Sequence, residues 1–211
     1  MKTTTLYIIR HGQTDWNKEK RIQGKTDIEL NEEGILQAKL LAEVFTSLPI
    51  TAIYSSYLSR AKKTAEIIAK PFGHQVIEHP HLHERDKGSI EGLLISEYKR
   101  TFRNQLEEHF SLNFYERLFN KIVEDSESFI DLAERILPTF HEICKNHEGE
   151  KVVIVTHNAI LKLLLVLIGK YQEETLLIEN GAILEIESDS KELSLITTEG
   201  IKGEKSTLFT Q

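Results

Sequence analysis

Apolar residues along this chain alternate between short continuous runs and longer stretches with helical spacing. The runs are rich in β-branched residues, as strands are, whereas the longer stretches repeat apolar residues every three or four positions. The predicted strands are Thr5–Ile9, Thr51–Tyr54, Gln75–Glu78, Lys151–Thr156, Ala182–Glu187 and Glu192–Thr197. Strands that alternate with helices predict an α/β three-layer sandwich, with a mostly parallel central sheet covered by helices on both faces.

Local signals refine this pattern. Lys151–Thr156 is apolar at consecutive positions, which predicts a central strand buried on both faces. The predicted helices are Glu32–Ser47, Tyr57–Phe72, Leu137–Asn146 and Ala159–Ile168. Ser188 to Lys191 predicts the turn of a terminal hairpin, and Asn180-Gly181 favours a plain turn before Ala182 over a turn that brings an amide toward the site.

The stretch Leu93–Val123 differs from the rest because aromatic and charged residues interleave in it without a strand pattern. We interpret it as helical excursions outside the sheet and as a candidate lid or specificity cap. The alternative is an ordinary surface helix pair with its aromatic side chains in the core. The aromatic residues are Tyr98, Phe102, Phe110, Phe114, Tyr115 and Phe119.

Length and charge limit the possible classes of protein. The chain has 211 residues, of which 40% are hydrophobic and 28% charged, enough for one domain spanning residues 1–211. Its formal net charge of −7 argues against nucleic acid or an anionic membrane as a partner. An anionic small molecule then requires a local basic pocket.

The sequence predicts neither a signal peptide, nor a membrane span, nor a disulfide. The single cysteine, Cys144, has no partner, as expected in a reducing compartment. Arg10 interrupts the first apolar run too early for a signal peptide, and Leu163 to Ile168 is too short to span a bilayer. We therefore expect a cytoplasmic protein.

Candidate chemistry begins at Arg10-His11-Gly12, where the first predicted strand ends. A neutral imidazole can attack phosphorus, and a neighbouring guanidinium matches phosphate oxygens. Arg60 and His157 follow two other predicted strands. Ligands bind beyond the carboxyl ends of strands in open α/β sheets, so we expect these four side chains to converge at one edge.

Phosphoryl transfer also needs a proton for the leaving alkoxide. Glu84, in a segment running from Leu82 to Gly88, is the candidate general acid. The two arginines and the second histidine suit the task of holding negative charge on the equatorial oxygens. Read alone, a glutamate near a loop is more often simply solvated.

Together these residues resemble the histidine phosphatase superfamily, also called the phosphoglycerate mutase-like family, over most of the chain. Order and spacing both agree along the whole set. The matching positions are Arg10-His11-Gly12 with Thr14 and Asn17, Arg21-Ile22-Gln23-Gly24 with Asp27, Leu30 and Gly34, Ser55-Ser56 with Arg60 and Thr64, Glu84 with Gly88, Glu91 and Gly92, and Thr156-His157.

The resemblance implies a role for each matching residue. His11 is expected to be the phosphorylated nucleophile and Glu84 the proton donor. Arg10, Arg60 and His157 are expected to form the phosphate pocket, supported by Asn17. Gln23 and Gly24 are expected in a substrate-side loop, and the resemblance implies no metal or cofactor.

One position departs from the family pattern. Asn158 follows the second histidine where the family usually has glycine, so a larger polar side chain stands where the backbone approaches the ligand. Asparagine tolerates unusual backbone angles, so we expect the fold to survive. The pocket is then narrower, or its substrate preference differs.

Several functions remain open at this level. Hydrolysis of a small phosphorylated metabolite is favoured over mutase-type transfer, because Glu84 to Gly92 lacks the Tyr-Gly segment and longer insertion of the mutases. A phospho-ligand binder without turnover is a second alternative. A zinc site formed by His79, His81 and His83 is a third. The sequence leaves the oligomeric state open.

Overall fold

The fold is built on a six-stranded sheet. The computed structural model describes residues 2–169, 176–189 and 192–203. The sheet order is β3-β2-β4-β1-β5-β6. The strands are β1 (Thr4–Arg10), β2 (Ile50–Ser55), β3 (Val76–Glu78), β4 (Lys151–Thr156), β5 (Leu176–Ser188) and β6 (Leu193–Gly203). The helices are α1 (Asp15–Lys18), α2 (Glu32–Phe45), α3 (Ser59–Ala69), α4 (Ile95–Thr101), α5 (Arg103–Ser111), α6 (Phe114–Phe119), α7 (Phe129–Asn146) and α8 (Asn158–Leu167).

Strand direction explains why one edge of the sheet collects the predicted site residues. Strands β1, β2, β3 and β4 are parallel, whereas β5 and β6 are antiparallel to their neighbours. Arg10 lies opposite Thr156 in the register of β1 and β4. The backbone N–H of His11 then donates to the carbonyl of Thr156 at 3.0 Å. The carboxyl ends of β1 and β4 therefore stop at the same level.

Helices cover both faces of the sheet, which confirms the predicted three-layer α/β sandwich. Helices α2 and α3 pack on the face that carries Tyr7 and Ile9. Helices α7 and α8 pack on the opposite face, against Leu6 and Ile8. Alternate residues of β1 thus enter two separate apolar layers, as strand geometry requires.

Capping side chains define where two of these helices begin. The Asn31 side chain accepts the N–H of Gly34 at 2.9 Å and so starts α2. Ser128 and Asp131 form a capping box at the start of α7. Helix α7 therefore starts well before Leu137, the predicted start, and it accommodates Pro138 in its interior.

The stretch 93–123 forms helices outside the sheet, as predicted. Helices α4, α5 and α6 have no buried residue. Phe110, Tyr115 and Phe119 are exposed, so these aromatic side chains do not belong to the core. The segment starts on the loop after α1, where the N–H of Ile95 donates to the carbonyl of Lys20 at 2.9 Å.

The prediction of a plain turn at Asn180-Gly181 is wrong. Both residues lie within β5, which starts at Leu176 rather than at Ala182. The pairing of β5 with β6 shifts register between Ile178 and Ile183, and Gly181 has φ +78° there. The two last strands do pair as a hairpin, although Ser190 and Lys191 of the predicted turn lie outside the described residues.

Hydropathy along the helices gives one further result. Among helices in the described ranges, none combines the length and apolar composition needed to cross a membrane.

Helix α7 supplies a direct test of the packing on one face. Ile136 is completely buried, whereas its neighbour Leu137 is 39% exposed. We expect Ile136→Ala to lower the free energy of unfolding by about 2–5 kcal/mol, because it removes buried methyl groups and leaves a cavity. Leu137→Ala, the matched control, is expected to change it by less than about 1 kcal/mol. Urea denaturation measures both values, and equal losses would contradict the assigned buried face.

Candidate active site

His11 lies in the loop that follows β1 and is 3% exposed. Its Nδ1 lies 2.7 Å from the carbonyl oxygen of Gly12. Since a carbonyl only accepts, Nδ1 carries the proton and Nε2 keeps its lone pair. Burial, followed by the charges of Arg60 and Arg10, holds the pKa of His11 well below its ordinary value. The imidazole is therefore neutral at pH 7, and the lone pair of Nε2 is available to a ligand.

Close backbone contacts fix the loop that carries His11. A Cβ on Gly12 would lie 2.5 Å from the carbonyl oxygen of Gly34, and a Cβ on Gly34 would lie 2.1 Å from that of Gln13. Both positions thus require glycine. The N–H of Gly12 also donates to the Thr64 hydroxyl at 3.1 Å, and that hydroxyl donates to the Arg60 carbonyl at 2.7 Å. The nucleophile loop is thereby joined to α2 and α3.

Arg60 is completely buried at the start of α3. Its Nη2 donates to the carbonyl of Gly24 at 2.7 Å, and its Nη1 donates to that of Thr26 at 2.9 Å. Asp27 accepts the N–H of Ser59 at 2.8 Å and so caps the helix end next to Arg60. Burial lowers the pKa of Arg60, although the guanidinium remains charged at neutral pH.

Arg10 ends β1 on the other side of the nucleophile. Its Nη1 donates to the carbonyl of Ile178 in β5. Burial lowers the pKa of Arg10 to about 10; the nearby Glu84 carboxyl opposes this shift, and Arg60 adds to it. A second guanidinium is therefore held beside His11.

His157 follows β4 and occupies the N-cap position of α8. Its ring centroid lies 5.1 Å from that of His11. Burial, and then the charge of Arg60, keeps the pKa of His157 well below its ordinary value. Within the described residues, Nδ1 and Nε2 of His157 are buried without a hydrogen-bond partner, as are the Nε atoms of Arg10 and Arg60. Buried polar atoms of this kind favour a site for a polar ligand.

Glu84 lies in the loop after β3 and is 7% exposed. Its Oε1 accepts the N–H of Arg85 at 2.7 Å and that of Ala159, in the first turn of α8, at 3.3 Å. The carboxyl group therefore stands beside His157, at the same end of the sheet as His11.

A partly buried ion pair holds the backbone around Glu84. Arg135 of α7 donates through Nε and Nη2 to the two carboxylate oxygens of Glu127, at 2.6 and 3.0 Å. The same guanidinium donates to the carbonyls of His83 and Glu84 at 3.0 and 3.2 Å. Glu127 also accepts the N–H of Asp86 at 3.1 Å. The part of α7 that sequence patterns missed thus positions the candidate acid.

The predicted supporting residues occupy the same region. Asn17 Oδ1 accepts the N–H of Thr14 at 3.1 Å, and Gln23 Nε2 donates to the Thr14 hydroxyl at 2.9 Å. Gly24 contributes its carbonyl to Arg60.

Asn158 is the half-buried first residue of α8. Its φ is not positive, because the one described non-glycine residue with positive φ is Lys20. Asn158 therefore replaces the expected glycine without backbone strain.

Asn180 is the residue that sequence reasoning undervalued. Its Nδ2 donates to the carbonyls of His11 and Gly12 at 3.1 and 3.3 Å, and to Asn17 Oδ1 at 3.1 Å. The amide thus reaches the nucleophile loop from β5. The only signal in the sequence was the Asn-Gly pair itself, which predicts an irregular backbone but not its target.

The alternating histidines do not form a ligand set. His79 and His81 have ring centroids 5.6 Å apart, but the His83 ring lies against Tyr57. Across the part of the chain that the structure describes, no group of three or more His, Cys, Asp or Glu side chains is arranged to hold a metal ion.

These elements bring together the groups that phosphoryl transfer requires. The neutral imidazole of His11 lies near the ring of His157 and within the electrostatic influence of Arg10 and Arg60, and the Glu84 carboxyl group lies at the same sheet edge. Positive charge in a buried, preorganised pocket stabilises the charge that develops on a transferring phosphoryl group.

Comparison with known proteins identifies the family. Residues 6–199 match the model of the histidine phosphatase superfamily, branch 1, and the chain belongs to that family. The sequence-based prediction of a phosphatase that acts through phosphohistidine is confirmed at the level of enzyme class by this match together with a phosphatase among the relatives.

Individual relatives fall on both sides of the phosphatase and mutase division. The chain is 40% identical to a metal-independent phosphoserine phosphatase of Arabidopsis thaliana, over 76% of this chain and 67% of that protein. It is 33% identical to a probable phosphoglycerate mutase, GpmB, of Serratia proteamaculans, over 74% of this chain and 70% of that protein. The solved structure of Bacillus stearothermophilus YhfR superposes with a TM-score of 0.80 and 31% identity, over 91% of this chain and 95% of that one.

The buried histidines give the stability a defined pH dependence. Below about pH 6.5 a histidine of the unfolded chain takes up a proton, whereas His11 and His157 stay neutral in the folded chain. The unfolded state then binds more protons, so stability falls as the pH drops from 7.5 to 5.5, by up to about 1.4 kcal/mol per pH unit for each histidine. We expect His157→Gln to show a shallower fall in free energy of unfolding across this range. Equal slopes for the variant and the wild type would contradict the burial of a neutral His157.

Proposed function

We propose that this chain hydrolyses phosphate monoesters of small metabolites through a phosphohistidine on His11. The observation that carries the assignment is the hydrogen bond from His11 Nδ1 to the Gly12 carbonyl, at 2.7 Å. It directs the lone pair of Nε2 away from the backbone of the loop. The buried guanidinium groups of Arg10 and Arg60 supply the charge that a phosphoryl group requires nearby.

In the first step, Nε2 of His11 attacks phosphorus while the bond from phosphorus to the ester oxygen breaks. Glu84, acting as the general acid, gives a proton to the departing alkoxide. Arg10, Arg60 and His157 hold the non-bridging oxygens through their unpartnered buried nitrogens. The products of this step are an alcohol and a phosphorylated His11.

In the second step, water attacks the phosphohistidine. The Glu84 carboxylate accepts a proton from that water, the phosphorus–nitrogen bond breaks, and inorganic phosphate is formed. His11 returns to the neutral form with which the cycle began. The two guanidinium groups supply the positive charge of both steps, so the proposal includes no metal ion and no cofactor.

The substrate we propose is a small phosphorylated metabolite, and phosphoserine leads the panel because of the 40% identical phosphoserine phosphatase. Two cations of the 93–123 region are already paired, Arg103 with Glu107 at 2.9 Å and Lys121 with Asp131 at 2.8 Å. Lys99 and Arg100 are exposed on α4, and Arg117 lies on α6. We propose Lys99 and Arg100 as contacts for a second acidic group.

The charge and the cysteine of the chain support a type of binding partner and a cellular location. The net charge of −7 supports a small-molecule partner rather than nucleic acid or an anionic membrane. Cys144 is buried and free, which supports a cytoplasmic location.

Mutase-type transfer is the second candidate, and the 33% identity with a probable phosphoglycerate mutase favours it. The two reactions share the first step and differ in the acceptor of the phosphoryl group, which is water in one and a substrate hydroxyl in the other. The chain has Glu91-Gly92 and lacks the Tyr-Gly segment of the mutases, which supports water as the acceptor.

We expect the chain to release inorganic phosphate from phosphoserine and p-nitrophenyl phosphate in the presence of EDTA. Substitution His11→Ala should reduce the rate on the order of 10³-fold or more, because it removes the nucleophile. His81→Ala, which alters an exposed histidine, is the matched control and should retain wild-type activity. A coupled phosphate assay and product analysis by NMR measure both variants.

Other outcomes point elsewhere. Isomerised phosphoglycerate without phosphate release would favour the mutase, and activity that survives His11→Ala would contradict the nucleophile. Phosphate binding without turnover on any substrate of the panel would indicate a binding protein.

A further inference from the structure

The carboxylate of Glu91 is occupied entirely by the protein. Its Oε1 accepts the N–H of Lys25 at 2.8 Å and that of Lys87 at 3.1 Å. Its Oε2 accepts the N–H of Thr26 at 2.8 Å and the hydroxyl of Thr26. Four donors fill the lone-pair positions of a carboxylate, so Glu91 has no capacity left for a substrate.

The loop that Glu91 binds is the same loop that binds Arg60. The carbonyls of Gly24 and Thr26 accept the two Nη atoms of Arg60, at 2.7 and 2.9 Å. The Gly24 carbonyl and the Lys25 N–H belong to one peptide group. A single peptide plane therefore connects the Arg60 guanidinium to the Glu91 carboxylate, and hydrogen bonds in such a chain polarise one another.

Gly24 shows how closely this arrangement is built. A Cβ on Gly24 would lie 1.8 Å from Oε1 of Glu91 and 2.9 Å from the backbone nitrogen of Lys87. The carboxylate thus occupies the space of a side chain at position 24. Any other residue there would displace either the carboxylate or the loop.

The consequence concerns the orientation of a buried charge. Arg60 is fully buried, and its Nε is unpartnered in the described structure. The two loop carbonyls hold the Nη atoms and so determine which way the guanidinium plane faces. We propose that Glu91 is a positioning residue, which fixes the loop 24–26 and through it the orientation of Arg60 toward the phosphoryl group. The proposal rests on the proposed function, since it assigns Arg60 to the phosphate.

Glu91 also differs from a direct ion-pair partner. Its negative charge is separated from Arg60 by the peptide group, so the guanidinium keeps its positive charge available to an anion. A carboxylate in contact with Arg60 would occupy the donors that the phosphate needs.

A double-mutant cycle separates positioning from mere loop stability. Glu91→Gln keeps the size of the side chain but puts an N–H₂ group among donors. We expect it to lower kcat/KM by roughly 10- to 100-fold, the scale of an ångström-level misplacement, and to weaken inhibition by inorganic phosphate by a similar factor. In an Arg60→Lys background, Glu91→Gln should lower kcat/KM by less than about twofold, because the guanidinium that Glu91 orients is no longer present.

Glu97→Gln is the matched control, because Glu97 also accepts a backbone N–H, that of Leu94 at 3.1 Å, but caps α4 instead. Glu97→Gln should leave both kcat/KM and the inhibition constant for inorganic phosphate unchanged. Circular dichroism and urea denaturation establish that each variant is folded. Where Glu91→Gln fails to fold, Thr26→Val removes only the hydroxyl donor, and its smaller loss should likewise disappear in the Arg60→Lys background.

Equal losses in the wild-type and Arg60→Lys backgrounds would overturn the proposal, as would unchanged phosphate inhibition. Failure of the proposed function has a different signature, since activity would then survive His11→Ala. The two hypotheses are therefore tested separately.

Discussion

The burial of Arg60 without a carboxylate in its described hydrogen bonds is the constraint on which the site depends. Moving a guanidinium out of water costs free energy. A direct ion pair would lower that cost, but it would also weaken the affinity of the guanidinium for an anion. Here two backbone carbonyls compensate part of the cost. The remaining positive charge is available to a phosphoryl group, and, after burial itself, it is the largest cause that holds the pKa of His11 below its ordinary value. One buried cation thus serves both the nucleophile and its target.

Much of the surrounding structure supports this arrangement. The loop 24–26 must turn its carbonyls inward, which Glu91 allows by binding the opposite N–H groups. Asp27 caps the helix that carries Arg60, and Thr64 joins that helix to Gly12. On the other side of the site, Arg135 and Glu127 hold the backbone of Glu84. Arg60, Glu84 and the loop that carries His11 are therefore each held by residues outside the candidate catalytic set.

Sequence patterns predicted the parts of this protein that depend on local periodicity. Lys151–Thr156 was predicted with its observed bounds, because a strand buried on both faces is apolar at every position. The parallel register then placed Arg10 opposite Thr156 and brought His11 and His157 together. Positions at strand ends predicted that Arg10, His11, Arg60 and His157 lie at one edge of the sheet, whereas the resemblance to the histidine phosphatase superfamily implied their individual roles.

Features that depend on tertiary contacts were harder to predict. The first half of α7 was missed because Pro138 interrupts the pattern, although Ser128 and Asp131 carried a capping signal. Asn180 was interpreted as part of a turn, since nothing local indicates that its amide reaches His11 and Gly12. The roles of Glu91 and Arg135 depend on loops that meet only in the folded chain.

The most direct test of the account is to locate the phosphoryl group on the working enzyme. A rapid alkaline quench during turnover of labelled p-nitrophenyl phosphate preserves phosphohistidine, and proteolysis with mass spectrometry identifies the labelled peptide. The account predicts a label on His11, with phosphorus NMR assigning it to Nε2. A label on His157 or on any other residue, or turnover with no labelled protein, would contradict it.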